Sequence, residues 1–176
     1  MRAFIAIPLP TEVKDILFDI QNQVGNDYAK IKWIAKKNLH LTLKFFPHAS
    51  ERKVEKIEEL LKKIKLKPFE VKLDNLGYFP NANDIRVLWV GLKPDEGVMN
   101  LQGDVDSVLS SIFEIEKRFN VHLSLGRVKL VKDKEKFLER LKEIKIPNLK
   151  FKICGFELIE SKLTKDGPVY KILNKF

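Results

Sequence analysis

The segments NLHLTLKF (residues 38–45) and NVHLSLGR (residues 120–127) carry the same short pattern: a histidine, a leucine, a hydroxyl residue and a second leucine. The chain has only three histidines, and two of them, His40 and His122, lie in this pattern. The third, His48, lies outside it and is predicted to be a loop residue. A single His-x-Thr is typical of an ordinary half-buried strand, but its repetition indicates a functional unit used twice.

Both segments are predicted to be strands, in which successive side chains point to opposite faces. The leucines then enter the core on one face, while each histidine shares the other face with the hydroxyl residue two positions later. That second face carries His40 and Thr42 in one strand, and His122 and Ser124 in the other. Lys44 continues the alternation and is predicted to share the face of His40.

The spacing of the two segments recurs elsewhere in the chain. His122 follows His40 by 82 positions, and Phe151, at the start of a strand-like run, follows Phe69 by the same 82 positions. A fixed period of this kind is the sequence signature of an internal repeat. We therefore predict one structural unit used twice, although a coincidence of element lengths would give the same spacing.

The repeat predicts the fold class. The apolar pattern predicts helices at 11–25, 51–66, 95–111 and 133–144, with starts at Thr11, Ser50 and Asp133. It predicts strands at 2–8, 31–34, 39–46, 69–79, 85–92, 112–116, 120–126, 151–161 and 169–173. The expected architecture is α+β, a single bilobal domain over residues 1–176 whose halves, 1–82 and 83–176, are related by a pseudo-two-fold axis. Two antiparallel sheets would line a central groove, helices would cover their outer faces, and the lobes would share strands.

Composition limits the classes of function. The 33 Lys and Arg residues against 24 Asp and Glu give a net charge of +9, which favours a polyanionic partner such as nucleic acid. A Lys- and Glu-rich surface is also typical of heat-adapted proteins of thermophiles, in which most of the charge is solvated. The single cysteine cannot form an internal disulfide, which fits a reducing, cytoplasmic location. No Cys/His cluster has zinc-ligand spacing and no apolar run is long enough to span a membrane, so neither a metal nor a membrane is expected.

Two histidines facing one groove suit acid and base catalysis, because imidazole changes charge between about pH 5 and 8. One would take a proton from an attacking oxygen, and the other would give one to a leaving oxygen. The hydroxyls of Thr42 and Ser124 are placed to hold the oxygens of a group between them. A phosphodiester fits, with Arg127 as the cation for its non-bridging oxygens and Lys44 as a second candidate. A serine hydrolase fits poorly, because it needs one nucleophilic hydroxyl and an acidic third member.

These residues and their flanks resemble the two-histidine phosphoesterase superfamily, and specifically the RNA 2′,3′-cyclic phosphodiesterase family, also called 2′-5′ RNA ligase. The resemblance covers nearly the whole chain, namely RAFIAIPLP, KWIAKKNLHLTLKFF, IRVLWVGL, HLSLGR and FELIESKLTKDGPVYKIL. It implies a bilobal fold and hydrolysis of a terminal 2′,3′-cyclic phosphate of RNA to a 2′-phosphate, without a metal or ATP. It also implies a side activity, the reversible ligation of RNA ends through a 2′-5′ linkage.

Carried over position by position, the resemblance makes His40 the proton donor to the 3′ oxygen and His122 the base that activates water. Thr42, Ser124 and Arg127 would bind the phosphate. Ser124 departs from the threonine that the family more often has, but it keeps the hydroxyl. The residues alone are symmetric between the two histidines, so they do not decide which is the acid.

The implied partner is RNA with a 2′,3′-cyclic phosphate end, such as a tRNA fragment, or a cyclic nucleotide, and the protein is expected to act as a monomer without a cofactor. Phe45 and Phe46 are candidates for stacking on a base, with core packing as the alternative. Two other functions stay open from sequence alone. One is a catalytically idle relative that binds RNA ends or nucleotides, and the other is a purely structural duplicated domain.

Overall fold

The computed structural model describes residues 1–176 and contains four α-helices and nine β-strands. The helices are α1 (Thr11–Val24), α2 (Glu51–Leu61), α3 (Glu96–Leu109) and α4 (Lys134–Glu143). The strands are β1 (Arg2–Pro8), β2 (Ala29–Trp33), β3 (His40–Phe46), β4 (Phe69–Asn81), β5 (Asp84–Lys93), β6 (Leu123–Val131), β7 (Lys150–Ile153), β8 (Glu157–Thr164) and β9 (Gly167–Lys175). A 3₁₀ turn at Lys36–Asn38 precedes β3. No helix is both long enough and apolar enough to cross a bilayer.

The strands form two antiparallel sheets. Sheet A has the order β3-β1-β8-β9, and sheet B has the order β2-β6-β5-β4-β7. The two histidine segments therefore lie in different sheets, β3 at the edge of sheet A and β6 inside sheet B. The predicted α+β class, with two antiparallel sheets and a duplicated unit, is confirmed. β2 precedes the first histidine segment in the chain but pairs with β6, the strand of the second segment.

The duplication is visible in the helices that follow the two histidine strands. Ser50 caps α2 and Asp133 caps α4, and each side chain accepts a hydrogen bond from the backbone N–H three residues later. Such caps satisfy amides that the first helical turn leaves without a partner. The two predicted starts are confirmed. The predicted cap at Thr11 is wrong, because Thr11 is already helical and the residue before it, Pro10, makes no side-chain cap.

The core of the protein joins both sheets to the helices in one hydrophobic cluster. The four leucines of the histidine segments belong to this cluster, and each is at most 2% exposed: Leu41, Leu43, Leu123 and Leu125. Burial of a leucine side chain stabilises a fold by about 1.5–3 kcal/mol. The leucines therefore fix which side of each strand faces the core.

The strand predicted at 112–116 is wrong. These residues form a turn and an irregular segment. Hydrogen bonds from side chains, and not a ladder to a neighbouring strand, hold this segment in place. Lys44 Nζ donates to the carbonyl oxygen of Glu114, and the carboxylate of Asp106 accepts from the backbone N–H of Glu116. The ring of Phe113 also packs against Phe46 of β3.

The run predicted as one strand at 151–161 is two strands. β7 pairs with β4 in sheet B, whereas β8 pairs with β1 in sheet A. The chain leaves one sheet at Ile153 and enters the other at Glu157, passing Gly155, where the carbonyl oxygen of Phe176 lies too close to accommodate a side chain. Periodicity could not show this break, because both strands carry apolar residues.

Candidate active site

Each histidine is held by the same backbone contact. Nδ1 of His40 lies 2.6 Å from the carbonyl oxygen of Asn38, and Nδ1 of His122 lies 2.7 Å from the carbonyl oxygen of Asn120. A carbonyl oxygen only accepts hydrogen bonds, so Nδ1 carries a hydrogen in both rings. Nε2 is therefore the atom of each ring that can take up or release a proton.

The surroundings of His40 are aromatic. Its ring stacks on Phe4 of β1, with 4.8 Å between centroids, and meets Tyr170 of β9 edge-on at 5.5 Å. Its Nε2 lies 2.9 Å from Oγ1 of Thr42. Because Nδ1 already carries the hydrogen of the neutral ring, Nε2 accepts from the threonine hydroxyl in that state. We call the side of each sheet that carries its histidine the histidine face, and the opposite side the core face.

The surroundings of His122 are more open. The ring of Phe79 meets it edge-on at 5.1 Å between centroids, and Phe79 itself packs on Trp89 at 4.9 Å. Nε2 of His122 makes no hydrogen bond within the protein, unlike Nε2 of His40. Residues of β3 and β6 approach to within 8 Å between Cα atoms, so the two histidine strands are neighbours although they belong to different sheets.

Strand β3 contains a β-bulge immediately after its hydroxyl residue. Thr42 lies opposite Ala6 of β1. Lys44 lies opposite Ile5, the neighbour of that alanine, so Leu43 is an extra residue. Directly opposed residues share a face, and a bulge reverses the alternation beyond it. Lys44 therefore lies on the core face with Ile5, and the prediction that it shares the histidine face is wrong.

Lys44 forms a buried ion pair instead of reaching a substrate. Its Nζ lies 2.5 Å from Oδ1 of Asp106 in α3, and the two side chains are 9% and 4% exposed. The same carboxylate accepts from Gln102 Nε2 and from the backbone N–H of Glu116. Burial alone would raise the pKa of Asp106, but these hydrogen bonds, with that from Lys44 foremost, hold the pKa below its ordinary value.

Strand β6 has its bulge at the equivalent position. Ser124 lies opposite Trp89 of β5, and Gly126 lies opposite the residue before that tryptophan, so Leu125 is the extra residue. Leu125 follows Leu43 by the same 82 positions as the histidines. Beyond the bulge, Arg127 returns to the histidine face and is exposed, which makes its guanidinium accessible to an anion. Its role in binding phosphate stays a prediction.

A buried glutamine braces the second bulge. Nε2 of Gln21 in α1 donates to the carbonyl oxygens of Leu125, at 2.8 Å, and Ile34, at 2.9 Å. The helix α1 precedes β3 in the chain but holds β6, whereas α3, with Asp106, precedes β6 but holds Lys44 of β3. The arrangement is therefore crossed: α1 holds the strand of the second histidine segment and α3 holds the strand of the first, each through one buried polar side chain.

The two phenylalanines after the first histidine segment have different positions. Phe46 is 1% exposed and packs in the core against Phe113, with 4.6 Å between centroids. Phe45 lies opposite Phe4, on the histidine face, and is 45% exposed. The guanidinium of Arg2 lies 5.3 Å from the centroid of its ring. Core packing therefore accounts for Phe46, while Phe45 stays a candidate for stacking on a base.

Sequence reasoning missed several residues that shape the site. A repeated asparagine two positions before each histidine, Asn38 and Asn120, was a usable signal, since the two are also 82 positions apart. No local pattern pointed to Phe4 or Gln21 as neighbours of the histidine strands. Tyr170 reaches His40 through the pairing of β8 with β9, which only the folded sheet brings about.

The environment of His40 lowers its pKa. Burial is the largest cause, the hydrogen bond to Asn38 acts in the opposite direction, and the charge of Lys14 lowers the pKa further. In the unliganded protein we therefore expect the His40 imidazole to titrate below its ordinary value of 6.5. A bound phosphate anion favours the charged ring, so saturation with inorganic phosphate should raise that pKa.

Nitrogen-detected NMR titration of the imidazole rings measures this directly, with a His40→Gln variant to identify the resonances. A His40 pKa at or above 6.5 in the phosphate-free protein, or one that phosphate leaves unchanged, would contradict this description of the ring. The phosphate response matters for mechanism, because a proton donor must be charged before it acts.

Known proteins resemble this chain over its whole length. A family model described as LigT like phosphoesterase matches residues 7–89 and again residues 90–170. The RNA 2′,3′-cyclic phosphodiesterase of Methanocaldococcus jannaschii is 33% identical over 178 residues, covering 100% of both chains. The protein of the same name from Methanothermobacter thermautotrophicus is 32% identical over 180 residues, covering 100% of this chain and 98% of its own. The crystal structure of TT0787 of Thermus thermophilus superposes with a TM-score of 0.82 at 27% identity, covering 100% of this chain and 97% of that one.

Proposed function

The chain belongs to the LigT like phosphoesterase family, a family of enzymes, and on this premise we propose that it is an RNA 2′,3′-cyclic phosphodiesterase in which His40 and His122 act as an acid and base pair. The observation that supports the proposal best is the matched anchoring of both rings. Nδ1 is bound to a backbone carbonyl in each, which leaves both Nε2 atoms for proton transfer. His40 begins β3 and His122 immediately precedes β6, and these two strands are neighbours. The names of the relatives supply the substrate class.

In the proposed reaction a water oxygen attacks phosphorus and the bond from phosphorus to the 3′ oxygen breaks. Nε2 of His122 takes the proton of the water, and Nε2–H of His40 gives a proton to the departing 3′ oxygen. The products are a 2′-phosphate and a free 3′-hydroxyl. General acid and base groups each contribute a factor of about 10²–10⁴ to such rates.

Thr42, Ser124 and Arg127 would bind the non-bridging oxygens of the phosphate. Arg127 is exposed on the histidine face and Ser124 precedes it on the same face, so both can meet one anion. No step of this scheme is assigned to a metal ion. When the 5′-hydroxyl of an RNA end replaces water as the nucleophile, the same displacement forms a 2′-5′ linkage with loss of the 3′ oxygen from phosphorus. This ligation is reversible, and water at about 55 M makes hydrolysis the dominant outcome.

The proposal also covers the domain organisation, the oligomeric state, the location and the RNA substrate of the protein. We propose that the halves 1–82 and 83–176 form one bilobal domain with the site between them, and that the protein acts as a monomer in the cytoplasm on RNA ends such as those of tRNA fragments. The boundary between the halves would fall in the turn that joins β4 to β5.

The test is turnover of 2′,3′-cyclic AMP, and of a short RNA that ends in a 2′,3′-cyclic phosphate, with excess EDTA present. We expect only the 2′-phosphate product, because the proton donor serves the 3′ oxygen. Absence of turnover for every base between pH 5 and 8 would defeat the proposal. Binding of the cyclic nucleotide without any product would favour the alternative of an idle nucleotide-binding relative.

A further inference from the structure

Basic side chains continue from the candidate site along the outer margin of sheet B. Strand β2 alternates buried and exposed residues, with Ala29 and Ile31 on the core face and Lys30 and Lys32 exposed on the other. Lys32 lies directly opposite Arg127 of β6. Because opposed residues share a face, Lys30 and Lys32 lie on the histidine face of the sheet.

A third lysine joins them through a bulge in the pairing of β6 with β2. Lys30 pairs with Leu130 and Ile31 pairs with Val128, so Lys129 is an extra residue of β6. Lys129, Lys30 and Lys32 line one shallow depression. We call Lys30, Lys32, Arg127 and Lys129 together the β2–β6 basic strip.

The spacing of the strip suits a chain of phosphates. Positions two residues apart on a strand are roughly 7 Å apart, so cations recur at about that interval from Ser124 outwards, first at Arg127 with Lys32 and then at Lys30 with Lys129. Successive phosphates of an extended single strand are separated by a similar distance. The strip therefore begins beside the proposed phosphate position and leads away from it.

The strip is also free of counter-charges within the protein. None of its four cations forms an ion pair, although some cations elsewhere in the two sheets do. Lys93 at the end of β5 pairs with Asp74 of β4 at 3.2 Å, and at the edge of sheet A Lys175 of β9 pairs with Glu157 of β8 at 3.4 Å. A polyanion binds most readily to a row of cations that have no ion pair within the protein, because it takes the place of their counterions.

We infer that the β2–β6 basic strip binds the RNA backbone immediately upstream of the cyclic phosphate, so that the preferred substrate is a single-stranded RNA end several nucleotides long and not a mononucleotide. The inference rests on the proposed function for the identity of the polyanion. It adds the path of the RNA, which runs from the histidines along β6 and β2, and the residues that hold it.

The test compares two substrates and two triple variants. The strip variant carries Lys30→Gln, Lys32→Gln and Lys129→Gln, and leaves Arg127 in place. The control variant carries Lys62→Gln, Lys63→Gln and Lys65→Gln, which remove the same charge from exposed positions at the end of α2. kcat/KM is measured for 2′,3′-cyclic AMP and for an octanucleotide that ends in a 2′,3′-cyclic phosphate.

We expect the strip variant to lose about 10-fold in kcat/KM on the octanucleotide through a higher KM, and to match the unmodified protein on cyclic AMP. The control variant should change neither substrate by as much as 2-fold. The salt dependence of octanucleotide binding should also become shallower in the strip variant, by about 0.7 in the log-log slope for each phosphate that the variant no longer neutralises.

Two outcomes overturn the inference while the proposed function stands: equal losses in the strip and control variants, or an unmodified protein that turns over cyclic AMP and the octanucleotide equally well. If neither substrate is hydrolysed, the proposed function fails instead. Fluorescence anisotropy with a labelled octanucleotide that ends in a 3′-phosphate then tests separately whether the strip binds RNA. Weaker binding by the strip variant alone supports RNA binding by the strip, and equal binding by both variants refutes it.

Discussion

Replacing His40 or His122 by alanine is expected to lower kcat for a 2′,3′-cyclic phosphate by about 10²–10⁴, which corresponds to about 3–5 kcal/mol of transition-state stabilisation. Each substitution removes the only imidazole on its histidine face while the anchoring carbonyl of Asn38 or Asn120 remains. The measurement is steady-state hydrolysis, with thermal unfolding of each variant to show that the fold persists. His40→Gln is a second variant, because it keeps a polar side chain against Phe4.

The two substitutions are also expected to differ in a way that a merely structural role would not produce. A substrate with sulfur in place of the 3′ oxygen has a leaving group that departs without a proton. His40→Ala should recover most of its lost rate on this substrate, because the donor is no longer needed, whereas His122→Ala should not. Recovery by His122→Ala instead would exchange the two roles, and equal deficits on both substrates would contradict an acid and base pair.

Breaking the buried ion pair is expected to have the largest effect on stability. Asp106→Leu leaves the Lys44 ammonium buried without a counter-charge, so we expect a loss of about 3–5 kcal/mol in the free energy of unfolding. For a chain of this size, that loss corresponds to a decrease in Tm of about 6–20 °C. Because the pKa of Asp106 lies below its ordinary value of 3.8, the ion pair contributes fully at neutral pH and is lost only as the pH falls through the lowered pKa.

The double variant Lys44→Met with Asp106→Leu should recover most of that loss, because it removes the unpaired charge together with the cost of burying both ions. Exposed Lys56 and Glu59, 2.8 Å apart on α2, supply the control, and the corresponding double variant should leave the free energy of unfolding almost unchanged, because solvent screens an exposed pair. Denaturant unfolding measures all of these. A double variant as unstable as Asp106→Leu alone would contradict this explanation, because the unpaired charge of Lys44 would then not be the cause of the loss.

The 82-residue repeat allowed the sequence to predict most of the scaffold. Ser50 and Asp133 both cap helices, and all four leucines of the histidine segments are buried, because capping and period-two alternation are local properties that a sequence displays directly. The histidines and hydroxyl residues precede the bulges, so alternation was sufficient to place them on one face.

The position of Lys44 could not be predicted in the same way. A bulge adds one residue without any mark in the sequence, and every later side chain then changes face. The equivalent of Lys44 in the second strand is Gly126, where a side chain would collide with Trp33 and Ile31 of β2. The two copies have therefore diverged at this position, one carrying a buried cation and the other a close backbone approach.

The missing strand at 112–116 has a similar origin. In sheet B the corresponding position beside β6 is filled by β2, which forms a ladder. Beside β3, the carbonyl of Glu114 and the amide of Glu116 bond to Lys44 and Asp106 instead. Apolar residues such as Phe113 kept the pattern of a strand, since the segment still packs on Phe46.

The most direct test of the central claim is a crystal structure of the protein with the product 2′-AMP bound. We predict one phosphate with oxygens within about 2.6–3.2 Å of Nε2 of His40 on one side and Nε2 of His122 on the other. We also predict that Nδ1 of each ring keeps its bond to the carbonyl of Asn38 or Asn120. A phosphate that touches only one histidine, or that binds away from both, would contradict the claim.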